Sequence, residues 1–476
     1  MTTDQALPKA DEATSPDGRQ FRFRVANAHD YPPGRFVSLR ESDGQTRLGQ
    51  IEQSEVDHRG ELTASGRVYA TVDQAGRLSN RSAPFAAATV AEADAELIGL
   101  MNDNLGAVLD VGQVSSVPGA SAALLPHRFN RHTFWCGQSG SGKTYSLGVL
   151  LEELLMHSEL PMVIFDPNAD FVRLAEVRDD APSARAAAVT RRDLRILRPG
   201  GESGESPRVR FTALGLTAKA AVLRLDPLID RVEYNTLLHM EEILSTTEIG
   251  SILPQLRASN DPALNGFALR IENLGLLSWE IWAQDKLAAT EIIDTRPAAT
   301  VLDLGGFAYK EEPLVVALSV LDDLWSRRSE RRPFLLVIDE AHNLCSPEVE
   351  TALERAVLER IIQIAAEGRK YGLWLLLSTQ RPSRVHPGII SQCDNLALMR
   401  MSSQRDLDEL ATIFGFAPPA LVNQSPLFRQ GEALFAGGFT PVPTVVQMRQ
   451  RLTHEGGRDV SVPLPESDPV EPGKSM

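Results

Sequence analysis

Apolar and polar residues alternate in short runs from Phe21 onward: F-R-F-R-V (21–25), R-F-V-S-L (35–39), R-L-G-Q-I-E (47–52) and L-T-A-S-G-R-V-Y-A (62–70). Pro-Pro-Gly, Ser-Asp-Gly and Arg-Gly turns separate them. A period of two between turn signals predicts half-buried antiparallel strands, and several in succession predict a small barrel. Beyond about residue 130 the alternation gives way to unbroken apolar runs: T-F-W-C (133–136), M-V-I-F (162–165), T-V-L-D-L (300–304), F-L-L-V-I (334–338) and L-W-L-L-L-S (373–378). Strands covered on both faces read this way, so a parallel α/β sheet is expected there. Between residues 212 and 290 the spacing turns helical, with Val232, Leu237, Leu238, Met240, Ile243 and Leu244 as its apolar positions. That stretch reads as a helical insertion.

The expected organisation is therefore a disordered leader (1–19), an N-terminal β-barrel (20–120), an α/β domain (121–452, insertion about 212–290) and a disordered acidic, Pro-rich tail (453–476). The leader and tail are polar or proline-rich and offer little apolar surface to bury.

Composition narrows the function. The 476 residues carry 48 Lys+Arg against 63 Asp+Glu, a formal net charge of −15. An acidic surface argues against wholesale wrapping by nucleic acid, though it leaves room for a small basic channel. No apolar run reaches the ~18–20 residues of a membrane span. The start, M-T-T-D-Q-A-L-P-K-A-D-E, resembles neither a secretory signal nor a transit peptide. The expected location is cytoplasmic. Cys136, Cys345 and Cys393 lie far apart without metal-ligand spacing, so neither a disulfide framework nor a zinc site is expected.

The strongest chemical signal is Gly137-Gln138-Ser139-Gly140-Ser141-Gly142-Lys143-Thr144, which fits G-x-x-x-x-G-K-[ST] without departure. An apolar strand precedes it and a helix-like run follows. Glycines let backbone N–H groups curl around phosphate oxygens, and the helix N-terminus adds its positive dipole end. Lys143 is the cation for the β- and γ-phosphates, and the Thr144 hydroxyl is a ligand for Mg²⁺. ATP and Mg²⁺ are the expected cofactors.

A second signal is F-L-L-V-I-D-E-A-H (334–342), an apolar strand running into two carboxylates. Asp339 is expected in the Mg²⁺ shell and Glu340 at the attacking water. A helix follows over 348–367, with Val349, Leu353, Ala356, Val357, Ile361 and Ile364 on one face. It ends at E-G-R-K-Y-G, and the next strand runs into S-T-Q-R-P-S. Gln380, at that strand's tip, is placed to sense the γ-phosphate. Arg369, between glycines, is available to stabilise transition-state charge in a neighbouring subunit. His342 follows the acidic strand and has a structural role as readily as a catalytic one.

These segments, together with D-P-N-A-D-F (166–171), resemble the HerA branch of the HerA/FtsK superfamily. The likeness covers about residues 20–450, the insertion matching only in kind. It implies a RecA-like P-loop ATPase core with a small N-terminal barrel, hexameric rings and pumping of double-stranded DNA. It also implies a trans-acting role for Arg369, a sensor role for Gln380 and a place near the nucleotide for Asp166. The family commonly shows a His-Gly-Glu-Tyr-like run where this chain has Asn168, Ala169, Asp170 and Phe171, so Asp170 keeps a carboxylate with a shorter reach.

No aromatic-interleaved basic patch marks a single-strand groove, so contacts to DNA are expected at backbone phosphates within a ring pore. R-R-S-E-R-R (327–332) precedes the acidic strand, at the sheet end opposite the phosphate loop, and reads as a solvated connection. Arg381 and Arg384 lie at the nucleotide end, where subunit contacts are expected. No nuclease constellation occurs, so a nuclease or defence effector would be a separate polypeptide. An ATP-gated ring scaffold that activates a partner enzyme is the alternative, mildly favoured by the net charge. A peripheral secretion or conjugation ATPase is a third reading.

Overall fold

In the computed structural model, residues 12–457 are described apart from 28–29, 43, 57–59, 74, 201–204, 245–246 and 248. Six antiparallel strands close a barrel: β1 (Glu12–Ser15), β2 (Gln20–Arg24), β3 (Phe36–Arg40), β4 (Thr46–Val56), β5 (Leu62–Val72) and, beyond the short β6 (Leu78–Ser79), β7 (Phe85–Glu92). The circuit runs β2-β1-β7-β3-β4-β5 and returns from β5 to β2. The alternation of β2 explains its place: Phe21 and Phe23 point inward onto Val37, Leu39, Ile51 and Ala64, while its polar residues face out. Closure leaves few unpaired edges.

The leader is shorter than expected. Residues 1–11 lie outside the described residues, but Glu12–Ser15 form a barrel strand, because Ala13 and Ser15 alternate inward. The barrel also ends earlier than 120. A helix, Ala95–Leu105, follows β7. The next strands, β8 (Leu109–Val114) and β9 (Ser121–Leu124), belong to the second, larger sheet. Their apolar residues face the core of the α/β domain, beside Leu147 and Leu151.

That sheet has eleven strands, adding β10 (His132–Cys136), β11 (Met162–Asp166), β12 (Leu194–Leu197), β13 (Ala299–Asp303), β14 (Phe334–Ile338), β15 (Leu373–Thr379), β16 (Cys393–Met399), β17 (Glu432–Gly437) and β18 (Thr444–Met448). Its order is β12-β13-β11-β14-β15-β10-β16-β17-β18-β8-β9. The block from β12 to β16 is parallel, and the remaining pairings are antiparallel. The five apolar runs read from the sequence are β10, β11, β13, β14 and β15. All are buried on both faces apart from half-buried Trp374, as a sheet between helical layers requires.

Between β12 and β13 lies the helical insertion, with helices at Leu216–Val222, Arg231–His239, Ile249–Ala258 and Pro262–Asn273. Its buried face is Leu237, Met240 and Leu244, spaced three and four apart, with Ile252, Phe267 and Ile271. Val232, Leu238 and Ile243, taken from the pattern as apolar positions, are exposed. The helix after β14 begins at Ala352 rather than 348, because Thr351 and Glu354 form a reciprocal capping box. Arg327 and Arg332 of the basic run both bind Asp294, and Arg328 lies over the Trp325 ring. Residues 453–457 are packed rather than tail-like: Thr453 is buried and bridges to Val177. Residues 458–476 lie outside the described residues. Among the described residues no helix is long and apolar enough to cross a membrane.

Candidate active site

Four neighbouring parallel strands deliver the site from their carboxyl ends. Strand β10 leads into the phosphate loop, β11 ends in Asp166, β14 leads into Asp339 and β15 into Gln380. In an open parallel sheet this edge is where ligands bind. The loop turns back over the helix Lys143–His157 through Gly140 and Gly142, whose φ of 73° and 90° suit glycine. Gly137 approaches β16 so closely that a Cβ would stand 2.7 Å from the Met399 Cβ. The Gln138 carboxamide accepts from the Ser402 N–H (3.0 Å) and hydroxyl (2.9 Å), pinning the loop to the segment after β16.

Lys143 is buried at the loop's floor. Its ammonium donates to Asp339 Oδ1 at 3.0 Å and the Ser378 hydroxyl at 2.9 Å, and lies 3.2 Å from Glu340 Oε1. Burial works against the charge, but Asp339 and Glu340 outweigh it and raise the lysine's pKa. Glu340 adopts a left-handed backbone, φ 42°, that costs about 1–3 kcal/mol for a non-glycine residue. Gln380 Nε2 donates to it at 2.5 Å and His342 Nδ1 lies 3.3 Å away. Burial alone would raise the Glu340 pKa; His342, the Lys143 charge and Gln380 together bring it down to about 2. His342 is thus fastened to Glu340, and to Thr379 at 3.1 Å.

Asp166 closes β11 beside Asp339 and Asp170. Its buried carboxylate accepts the N–H groups of Asp170 (2.9 Å) and Phe171 (2.8 Å), so it shapes the turn after β11 and does not line the cleft. Asp170 is the residue of that turn that faces the cleft. Burial pushes Asp166 up to about 7 and Asp170 up to about 6. Asp166, Asp170 and Asp339 bring carboxylate oxygens within 4.8 Å of one another.

The cleft measures about 670 Å³, within the range of small-molecule sites. Gln138, Ser139, Gly140, Gly142, Lys143, Thr144 and Gln380 line it, as does Asp170. Sequence reading missed the opposite wall, made by Gln430 and Gly431 before β17 and by Gln447–Gln450 at the end of β18. Those residues carry no motif and are recruited only by the antiparallel half of the sheet. Ser378, which accepts from Lys143, stands within S-T-Q-R-P-S and has no signal of its own in the sequence.

Arg369 is not in this cleft. It lies at the opposite end of β15, about 20 Å of strand away from Gln380, and pairs with Asp394 at 2.7 Å. Arg381 and Arg384 are exposed beside Gln380.

Residues 109–262 match the family described as the helicase HerA central domain, a match that begins with the first residue of β8. A probable helicase of Methanocaldococcus jannaschii is 31% identical over 31% of this chain and 29% of its own length. Another from the same organism is 22% identical over 69% of this chain and 68% of its length. A DNA double-strand break repair helicase HerA of Pyrococcus furiosus is 29% identical over 24% of this chain and 20% of its length. The chain spans under a third of the first of these relatives. With the phosphate loop, the acidic strand and the Gln380 strand on one sheet edge, these likenesses support a HerA-type ATPase of the HerA/FtsK superfamily.

Proposed function

We propose that this chain hydrolyses ATP and uses the energy to move double-stranded DNA as a hexameric ring. The observation that carries this is the assembly of Lys143, Asp339, Glu340 and Gln380 within direct contact at the phosphate loop. Lys143 meets the phosphates and withdraws from the carboxylates it neutralises here. Glu340 then loses one of the groups holding its pKa down, and its basicity rises as the attacking water arrives. Gln380, already on Glu340, orients that water. A positioned base of this type contributes roughly 10²–10⁴ in rate.

The residues suit a divalent cation. Oδ2 of Asp339 is buried and accepts no hydrogen bond. Thr144 and Asp339 would hold Mg²⁺, which supplies charge neutralisation across the β- and γ-phosphates. Arg369 cannot serve its own cleft from the far end of β15, which supports a role in a neighbouring subunit's site. DNA would be gripped through its backbone phosphates, and a separate nuclease or defence effector would act on what the motor delivers.

The test is steady-state ATP hydrolysis with and without linear duplex DNA, at low and moderate salt. Stimulation that fades as salt rises is expected, because phosphate contacts release counterions. A rate indifferent to DNA would favour the ring scaffold that gates a partner. Absence of hydrolysis under all conditions would overturn the reading.

A further inference from the structure

We propose that Asp170 supplies a second carboxylate to the divalent cation that accompanies the nucleotide, beside that of Asp339. The proposal rests on the reading of the cleft as an ATP site. Three carboxylates within 4.8 Å would mean little by themselves. The second observation is Asp339 Oδ2, fully buried and without a donor, while Oδ1 is taken by Lys143. An unsatisfied buried acceptor is costly, more so when charged, and a cation relieves it.

The three acids divide their work. Both oxygens of Asp166 are committed to the backbone N–H groups of Asp170 and Phe171, so Asp166 is a positioning residue. The turn it holds passes through Ala169 at φ 59° and presents the Asp170 side chain to the cleft. The Asp170 carboxylate accepts no hydrogen bond from another described side chain or backbone group. Its aim is fixed from behind: Gly456 donates its N–H to the Asp170 carbonyl at 3.0 Å, and a Cβ on Gly457 would stand 2.7 Å from Asp170 Oδ1.

Charge completes the case. Lys143 is the cation that Asp339 and Glu340 touch in this structure. Once phosphates claim that lysine, Asp339, Glu340 and Asp170 face one another with the phosphates' own negative charge added. Oxygen ligands of this density select a hard divalent ion of the Mg²⁺ class.

The experiment titrates Mn²⁺, read by electron paramagnetic resonance, into the full chain with ADP bound. Asp170→Asn is expected to weaken Mn²⁺ binding at least about tenfold, the lower end of what even an outer-shell partner is worth. ADP affinity in EDTA is expected to stay level or tighten, since a negative charge has gone. Asp170→Glu is expected to restore part of the Mn²⁺ affinity. Should Asp170→Asn fail to fold by circular dichroism, Asp170→Ser is read the same way. Wild-type Mn²⁺ affinity in the folded variant overturns the proposal, as does an equal loss of ADP binding in EDTA. Failure of the wild-type chain to bind ADP at all would instead sink the nucleotide reading.

Discussion

Gly148, on the phosphate-loop helix, lies flat against the guanidinium of Arg451: a Cβ there would stand 2.5 Å from the arginine Nε and 2.6 Å from Cζ. Arg451 is fully buried, donates from Nε to Thr453 at 3.0 Å, lies 3.8 Å from Glu152 and sits over the Phe171 ring. Glu152, on the same helix, also accepts from the Leu452 and Thr453 N–H groups. The end of the described chain is thus buckled onto the helix that carries Lys143.

Gly148→Ala is therefore expected to destabilise despite its gain in helix propensity of about 1 kcal/mol. Overpacking a buried site costs about 1–3 kcal/mol, and a displaced Arg451 also loses Glu152. A lowered urea midpoint with unchanged slope checks this. A midpoint equal to or above wild type would show that Arg451 moves aside freely.

Glu340→Gln should keep ATP bound while turnover falls about 10²–10⁴-fold. Lys143→Ala should lose both. Nucleotide binding by fluorescence, measured beside phosphate release, separates the two. Equal loss of binding in Glu340→Gln would make that residue part of the nucleotide cradle rather than the water's partner.

Arg369→Ala is expected to reduce turnover by about 10³–10⁵, the worth of an arginine finger. Mixed with Lys143→Ala subunits it should recover activity, because each variant then completes the other's interface. Persistent inactivity of the mixture would place Arg369 in its structural pair with Asp394 alone.

His132 sets a pH dependence of stability. Nδ1 accepts from the Leu375 N–H at 2.9 Å and Nε2 lies 3.0 Å from the Ala365 carbonyl, so the ring is neutral with its proton on Nε2. Burial, with the nearby Arg369 charge, lowers its pKa from 6.5 to about 4. The unfolded chain therefore binds the proton more readily. The stability from this group is complete above pH 6.5 and is lost as pH falls towards 4, a total on the order of 3 kcal/mol. Urea melts at pH 7 and pH 5 should differ less in His132→Asn than in wild type. An unchanged difference would remove His132 as the cause.

What was legible in the sequence is what local pattern determines. Five of the seven strands in the parallel block announce themselves because a strand buried on both faces tolerates few polar residues. The phosphate loop, Asp339 and Gln380 followed because each stands immediately after such a strand. The misreadings lie where long-range pairing decides. Strand β8 falls within the stretch expected as barrel, since nothing within residues 109–114 reveals that its partner is β18. That two backbone N–H groups capture the Asp166 carboxylate is equally invisible in the sequence, because the turn after β11 carries no pattern that announces it. Val232, Leu238 and Ile243 fit the helical spacing yet stay exposed, because that spacing does not say which stripe of a short helix finds a partner.

One feature of the sheet bears on how the protein is made. Strand β18, residues 444–448, is inserted between β17 and β8, whose residues lie more than three hundred positions earlier. As the chain leaves the ribosome, the phosphate loop and its lysine emerge long before that strand. Until β18 arrives, the β8–β9 hairpin has no seat in the sheet and the wall at Gln447–Gln450 does not exist. The phosphate-binding motif thus leaves the ribosome before β15 and β16, the strands that flank β10, and before the wall that β18 adds. Its full nucleotide cleft waits on strand β18.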